Sequence, residues 1–265
     1  MRFLRHFLLA LQFFTRIPVT GRLAAWVGYS PAMLRASAAH FPGVGWLVGL
    51  AAALVYGGLL ALLPRNPYAP LVAAVLSTAA TALLTGGFHE DGLSDVADGL
   101  GGGSTREQAL DIMKDSRVGA FGVLALALAL LAKVALLALL GSLDAGLACA
   151  ALLGAHVVSR YLPLGLIRLL PHVGDTARSK SKPLADQIGA ASLLVASVWT
   201  LAALALLQWR YPGAPWAAAV AAAVVAALWM GWRLARRLQG YTGDGLGATQ
   251  QVCEIAFYLG LSLAL

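Results

Sequence analysis

The chain contains several apolar stretches long enough to cross a lipid bilayer, and this feature limits its fold more than any other. Runs without a charged residue occupy residues 43–64, 68–88, 187–209 and 211–232. Residues 118–143 carry only Lys133, residues 143–170 include three charges, and residues 247–265 form a short run containing Glu254. A crossing needs about 20 apolar residues in a helix. We therefore predict an all-α, polytopic membrane helix bundle with about six to seven transmembrane helices, forming a single domain over residues 1–265.

The basic residues indicate how such a bundle is oriented. When the predicted spans alternate, fifteen of the 19 Lys and Arg residues fall on the side of the N-terminus. Only Arg65 and Arg210 fall on the other side, and Lys133 and Arg160 lie within spans. The positive-inside rule then places the N-terminus in the cytoplasm. The net charge of +7 therefore indicates a multi-pass protein of the cell (inner) membrane, in contact with the lipid bilayer, and no nucleic-acid partner.

The N-terminal segment is predicted to lie along the membrane surface. Arg2, Arg5, Gln12 and Arg16 alternate with Phe and Leu. This pattern is typical of an interfacial amphipathic helix. The polar interruptions and the lack of a nearby small-residue cleavage site argue against a signal peptide.

Acidic residues are concentrated in one predicted cytoplasmic segment. Seven of the 12 acidic residues lie between residues 90 and 115. Asp91, Asp95 and Asp98 have the i, i+4, i+7 spacing that shares one helix face, and we expect this helix to continue the span at 68–88. Asp111 and Asp115 share a face of a second predicted helix, for which Ser104 or Thr105 is a suitable N-cap. Glu90 and Glu107 share neither face.

Two faces of carboxylates turned towards each other repel unless a cation lies between them. We therefore predict a site for Mg²⁺, or for Mn²⁺, since both prefer oxygen ligands. The predicted metal ligands are Asp91, Asp95, Asp98, Asp111 and Asp115. Two alternatives remain open: the acids form a solvated polar face, or they are neutralised in ion pairs with Arg106, Lys114 and Arg117.

Cations near the acidic segment indicate a phosphate-bearing substrate. Lys114, Arg117 and the intramembrane Arg160 could neutralise a pyrophosphate beside a bound metal. Basic residues at 178–182 (Arg178, Lys180 and Lys182) could do the same, or could reflect membrane orientation alone.

Three further residues are predicted to contact substrate. Asp244 lies in a glycine-rich segment, residues 240–247, which permits close approach of a ligand. Glu254 lies in an apolar helix, where a carboxylate is costly without a partner. His89 lies at a helix end. The alternatives are a plain loop for Asp244, a structural hydrogen bond for Glu254 and a structural role for His89.

Four segments resemble the cobalamin synthase family. They are residues 13–19 (Phe-Phe-Thr-Arg-Ile-Pro-Val), residues 89–103, residues 112–122 (Ile-Met-Lys-Asp-Ser-Arg-Val-Gly-Ala-Phe-Gly) and the pattern of Gly243, Asp244, Gly247 and Glu254. The resemblance implies a Mg²⁺-dependent integral membrane transferase. It would join α-ribazole, or its 5′-phosphate, to adenosylcobinamide-GDP and release GMP.

A weaker similarity links the acidic segment to the CDP-alcohol phosphotransferases. Asp95-Val-Ala-Asp98-Gly99 and Asp111-Ile-Met-Lys-Asp115 match the two ends of that family's motif, although its central Ala-Arg is missing. These resemblances imply catalytic roles for Asp115 and Asp98, with Asp115 orienting or deprotonating the ribazole hydroxyl. A membrane cation transporter that uses the acidic residues as an ion pathway is the alternative function, a non-catalytic scaffold is a third, and a homo-oligomer is left open.

Overall fold

The computed structural model describes residues 1–174 and 188–265, and within these ranges it contains helices and no strand. The helices are α1 (Arg2–Phe14), α2 (Gly21–Val27), α3 (Pro31–Ser37), α4 (Phe41–Leu62), α5 (Ala69–Thr85), α6 (Phe88–Gly102), α7 (Arg106–Ile112), α8 (Ala120–Leu143), α9 (Ala145–Tyr161), α10 (Pro163–Leu169), α11 (Ala190–Arg210), α12 (Trp216–Leu238) and α13 (Gly243–Leu263). A 3₁₀ turn at Ala38–His40 joins α3 to α4. The predicted all-α class is confirmed.

The helices form a polytopic bundle of the kind that crosses membranes. Among the described residues, five helical stretches are long and apolar enough to span a bilayer. They are Pro31–Leu62, Ala120–Leu143, Ala145–Leu169, Ala190–Arg210 and Trp216–Leu238. The bent pair α5–α6 would make a sixth if it is counted as one span. The described residues therefore reach the lower end of the predicted six to seven spans when the bent pair is counted, and α13, which carries Asp244 and Glu254, is not among the spans.

A sharp bend separates α5 from α6. Gly86 and Gly87 both have positive φ angles, of 72° and 69°, and Gly86 ends α5 in the left-handed conformation. Glycine is the residue best suited to such a helix end. The axes of the two helices consequently differ by 91°. The prediction that the acidic helix continues the preceding span is wrong, because α6 begins after a break at Gly86 and Gly87 and turns sharply away from α5.

The N-terminal helix packs this end of the bundle. The amphipathic character predicted for α1 is confirmed, because Leu9, Leu11 and Phe14 are buried in the core while the polar residues Arg2 and Gln12 are exposed. At its C-terminal end, the ring of Phe14 makes edge contacts with Phe41 of α4 and Phe88 of α6. The end of α1 thus contacts the beginning of the acidic helix.

Close backbone contact joins α4 to α9, the most enclosed of the spans. A side chain added at Gly45 would collide with the carbonyl oxygen of His156, and one at Gly49 would lie 2.8 Å from the Cα of Leu153. Small residues that let backbones approach are the usual means of packing helices in membranes. Because it holds α9 against α4, this contact also sets the position of His156 and Arg160 along the bundle.

Gly45→Ala is therefore expected to destabilise the protein by about 1–3 kcal/mol, the usual range for overpacking. Gly58→Ala is the matched control, because it lies in the same helix and has no atom within 4 Å of the added methyl group. Thermal unfolding in detergent measures the difference. Equal unfolding temperatures for the two variants would show that α4 and α9 are not in this contact.

Candidate active site

The acidic face of α6 meets the beginning of α13. A Cβ added at Gly92 would lie 2.8 Å from the carbonyl oxygen of Asp244, so the two backbones are in direct contact. Thr242 caps α13 by accepting a hydrogen bond from the amide of Gly245 (3.0 Å). Asp244 is thereby held beside Asp91 and Asp95. The glycine-rich segment predicted a ligand near Asp244, but nothing in its sequence indicated that this residue meets the acids of α6.

These carboxylates are close enough to influence one another. Partial burial raises the pKa of Asp95 to about 7, with further contributions from Asp91, Asp244 and Asp98. Within the described ranges, Asp91, Asp95 and Asp244 form no ion pair with Lys, Arg or His. Mutually repelling carboxylates without a protein counter-ion favour the binding of a cation. We call these three residues the acidic face.

The environment of Asp98 differs from that of the acidic face. Its carboxylate is buried and accepts hydrogen bonds from the backbone amides of Gly119 (2.7 Å) and Gly122 (2.8 Å) at the first turn of α8. A carboxylate there satisfies unpaired amides and interacts favourably with the helix dipole. A side chain at either glycine would collide with this carboxylate. Its predicted catalytic and metal-binding roles stay predictions, whereas its capping of α8 was not foreseen.

Asp98→Ala is expected to lower the free energy of unfolding by about 1–3 kcal/mol, because two buried amides lose a charged acceptor. Asp95→Asn is the control, since it removes a carboxylate without a hydrogen-bonded partner among the described residues. Both are compared by thermal unfolding without added metal. Unchanged stability of Asp98→Ala would contradict the capping role.

The second acidic helix is shorter than predicted. Thr105 is its N-cap, in a capping box with Gln108, which confirms one of the two predicted caps. The helix ends at Ile112, so Asp115 lies beyond it, and the prediction that Asp111 and Asp115 share a helix face is wrong. The difference arises because the chain turns at residues 113–118 before α8 begins.

Both carboxylates of this second group have basic partners at the surface. Lys114 Nζ lies 3.7 Å from Asp111, and the guanidinium of Arg117 binds Asp115 through two nitrogens. The hydrogen bonds from Arg117 lower the pKa of Asp115 to about 2. The ion-pair alternative therefore describes this group. Metal binding by Asp111 and Asp115, and phosphate binding by Lys114 and Arg117, stay predictions.

Glu254 lies in a buried polar network inside the bundle. Its carboxylate pairs with Lys133 Nζ of α8 (2.6 Å) and accepts hydrogen bonds from Gln250 (2.8 Å) and Tyr258 (3.1 Å). His156 Nδ1 of α9 is 3.6 Å away. The structural alternative for Glu254 thus has direct support, and substrate contact stays a prediction. Lys133, to which the sequence analysis gave no role, is the only charge in its span, and that isolation was the available signal.

Arg160 and His89 line one cavity. Arg160 is 4% exposed, and its Nη1 contacts both Nδ1 and the carbonyl oxygen of His156 (3.0 Å each). Within residues 1–174 and 188–265, its Nε has no hydrogen-bond partner. The ring of His89 is buried and stacked on Phe14, with ring centres 5.9 Å apart. Both residues are thus placed where a ligand could reach them. The predicted phosphate contacts Arg178, Lys180 and Lys182 lie outside the described residues.

The acidic face has the donor chemistry that Mg²⁺ requires. Within the described part of the chain, no three Asp, Glu, His or Cys side chains converge as a ready-made metal cage. Mg²⁺ does not need one, because it usually keeps several waters and binds through one or two carboxylates plus substrate phosphates. Asp91, Asp95 and Asp244 therefore fit an ion that arrives with a phosphate substrate.

The fold and this site define a multi-pass membrane protein with ionisable groups gathered at one end of an α-helical bundle. The family model described as "Cobalamin-5-phosphate synthase" matches residues 6–262. The chain belongs to this family, as its motifs predicted, and is a transferase of cobalamin biosynthesis.

Similar proteins carry a common name, "Adenosylcobinamide-GDP ribazoletransferase". One from Polaromonas sp. is 66% identical, over 100% of this chain and 98% of its own length. Another, from Albidiferax ferrireducens, is 62% identical over 100% and 99%. One from Vibrio cholerae is 43% identical over 96% and 91%. No solved structure matches the chain.

Proposed function

We propose that the protein transfers the adenosylcobinamide-phosphate group of adenosylcobinamide-GDP to α-ribazole, or to α-ribazole 5′-phosphate. The products are adenosylcobalamin, or its 5′-phosphate, and GMP. The names of its relatives support these substrates. The structural observation that carries the proposal is the acidic face, three neighbouring carboxylates without a basic partner in the described ranges.

We propose Mg²⁺ as the cofactor, held by Asp91, Asp95 and Asp244. When bound, Mg²⁺ neutralises oxygens of the pyrophosphate and so favours the departure of GMP. Asp98, Asp111 and Asp115 stay predicted ligands. Each of these three carboxylates already contacts hydrogen-bond donors or cations of the protein. The acidic face is therefore better suited than they are to bind the metal.

The remaining residues of the site would position the phosphates and accept a proton. Lys114 and Arg117 are exposed and lie in the segment that follows α7, where they could turn from Asp111 and Asp115 to the phosphates of a substrate. The same exchange would free Asp115. With a pKa of about 2 while bound to Arg117, Asp115 is a weak base, and loss of that partner would strengthen it as an acceptor for the ribazole hydroxyl proton.

We propose that this site faces the cytoplasm at the cell (inner) membrane. The distribution of Lys and Arg along the sequence supports that orientation. Inside-out and right-side-out vesicles that contain the protein distinguish the two faces, because adenosylcobinamide-GDP added outside would react only in the inside-out vesicles. Equal rates in sealed vesicles of both orientations would contradict the proposal.

The alternative function, cation transport, requires ionisable groups along a path through the membrane. The buried Lys133–Glu254 pair would be a candidate for part of such a path. However, the carboxylate of Glu254 already binds Lys133, Gln250 and Tyr258, and these contacts occupy it. Purified protein in liposomes, supplied with adenosylcobinamide-GDP, α-ribazole and Mg²⁺, separates the two functions. Transferase activity predicts GMP in the products and its loss with EDTA. Cation uptake without GMP would refute it.

A further inference from the structure

An aromatic cavity, partly open to solvent, is lined in part by the two segments that carry the acidic face. One wall consists of four phenylalanine rings, from the end of α1 and the beginnings of α4 and α6: Phe13, Phe14, Phe41 and Phe88. The rings contact one another edge to face, with Phe13 and Phe88 centres 5.6 Å apart and Phe14 and Phe41 centres 4.3 Å apart. Leu246 of α13 also lines the cavity. Such walls favour a flat aromatic ligand.

Arg160 contributes a buried guanidinium to the wall of the cavity. It is 4% exposed, and its Nε has no hydrogen-bond partner among the residues that the structure describes. Gln250 also lines it, but its amide nitrogen donates to Ser159 and Glu254, and its oxygen accepts from Gln251. An unsatisfied buried donor is unfavourable, so a ligand that supplies one acceptor would be stabilised there.

The cavity and the acidic face are built from the same two segments. His89 lines the cavity two residues before Asp91, and Gly243 lines it next to Asp244. A ligand bound between the phenylalanine rings would therefore be next to the carboxylates proposed to hold the metal. This adjacency connects the cavity to the transfer reaction.

We propose that the cavity binds the planar heteroaromatic base of the ribosylated acceptor, with one ring nitrogen accepting a hydrogen bond from Arg160 Nε. This inference rests on the proposed function. A ribosylated benzimidazole has one free ring nitrogen and otherwise apolar edges, which suits a guanidinium donor beside four phenylalanine rings. Guanine and adenine, the bases of the other substrate, carry several donors and acceptors that these walls would leave unpaired.

Binding of α-ribazole to the full chain in lipid nanodiscs, without adenosylcobinamide-GDP, tests the assignment through the ligand's fluorescence. Leu246→Trp fills the cavity and is expected to weaken binding at least about tenfold, the lower end of the discrimination by size in an apolar pocket. Leu128→Trp is the matched control, because Leu128 is exposed on the surface of α8, and it should bind as the wild type does. Guanosine at equal concentration should not displace α-ribazole.

A second variant and a kinetic measurement keep the test decisive. Phe88→Leu removes one ring and should also weaken binding. Because Phe88 is half-exposed, the variant is expected to fold. In turnover, both variants should raise KM for α-ribazole and leave KM for adenosylcobinamide-GDP unchanged. Unchanged α-ribazole binding in both, or a rise only in KM for adenosylcobinamide-GDP, would overturn the assignment. Absence of GMP release from the wild type would instead refute the proposed function, because binding is measured without turnover.

Discussion

Lys133→Met is expected to destabilise the bundle by about 3–5 kcal/mol, the range observed when one partner of a buried ion pair is removed. Lys133 and Glu254 are both almost completely buried, and their charged atoms are 2.6 Å apart. Without Lys133, the carboxylate keeps its hydrogen bonds from Gln250 and Tyr258 but loses its closest cation. A buried charge without a partner is especially unfavourable inside a membrane protein. Thermal unfolding in detergent measures the effect.

The double variant Lys133→Met with Glu254→Gln is the control for this pair. It removes both charges and retains an amide oxygen that can accept from Tyr258. Because a paired charge is often replaced at little cost, the double variant should recover most of the stability lost in Lys133→Met. If Lys133→Met unfolds at the wild-type temperature, the two residues are not paired as described.

Asp91→Asn and Asp95→Asn are each expected to reduce GMP release at least about 100-fold, the effect of losing one electrostatic contact to a transition state. Each substitution removes a proposed metal ligand. Neither carboxylate has an ion-pair partner in the described ranges, so the folded protein should lose little stability. The measurement is the rate of GMP formation at saturating Mg²⁺, alongside thermal unfolding of the same samples.

Asp111→Asn provides a comparison within the same segment. Asp111 is exposed at the surface and lies 3.7 Å from Lys114, so its loss should reduce the rate less than about tenfold, in line with the small value of surface ion pairs. Asp244→Asn should resemble Asp95→Asn, because Asp244 belongs to the acidic face. An Asp111→Asn rate as low as that of Asp95→Asn would favour the five-aspartate site predicted from the sequence.

Local features of this protein could be predicted from the sequence because they depend on neighbouring residues. The apolar runs predicted the membrane helices, and Thr105 predicted the cap of α7. The bend at Gly86 and Gly87 was missed because the hydropathy of residues 68–88 continues through it without interruption. The end of α7 was missed because the spacing of Asp111 and Asp115 is compatible with one helix through both residues, whereas α7 ends at Ile112.

The contacts that organise the site join residues distant in sequence. Asp98 caps a helix that begins 22 residues later, and its spacing gave no sign of that partner. Lys133 and Glu254 belong to different helices and meet only when α8 and α13 pack together. Asp244 reaches α6 through the glycine contact at residue 92. Periodicity reports which residues share a helix face, and it does not report which helices meet.

Metal binding at the acidic face is the central claim, and Mn²⁺ provides the most direct measurement because its electron paramagnetic resonance signal distinguishes bound from free ion. Wild-type protein with GDP present should bind Mn²⁺, and Mg²⁺ should compete for it. Asp95→Asn should bind Mn²⁺ at least about tenfold more weakly, as expected when a charged ligand is lost. Equal Mn²⁺ affinity in the wild type, Asp91→Asn and Asp95→Asn would contradict the claim.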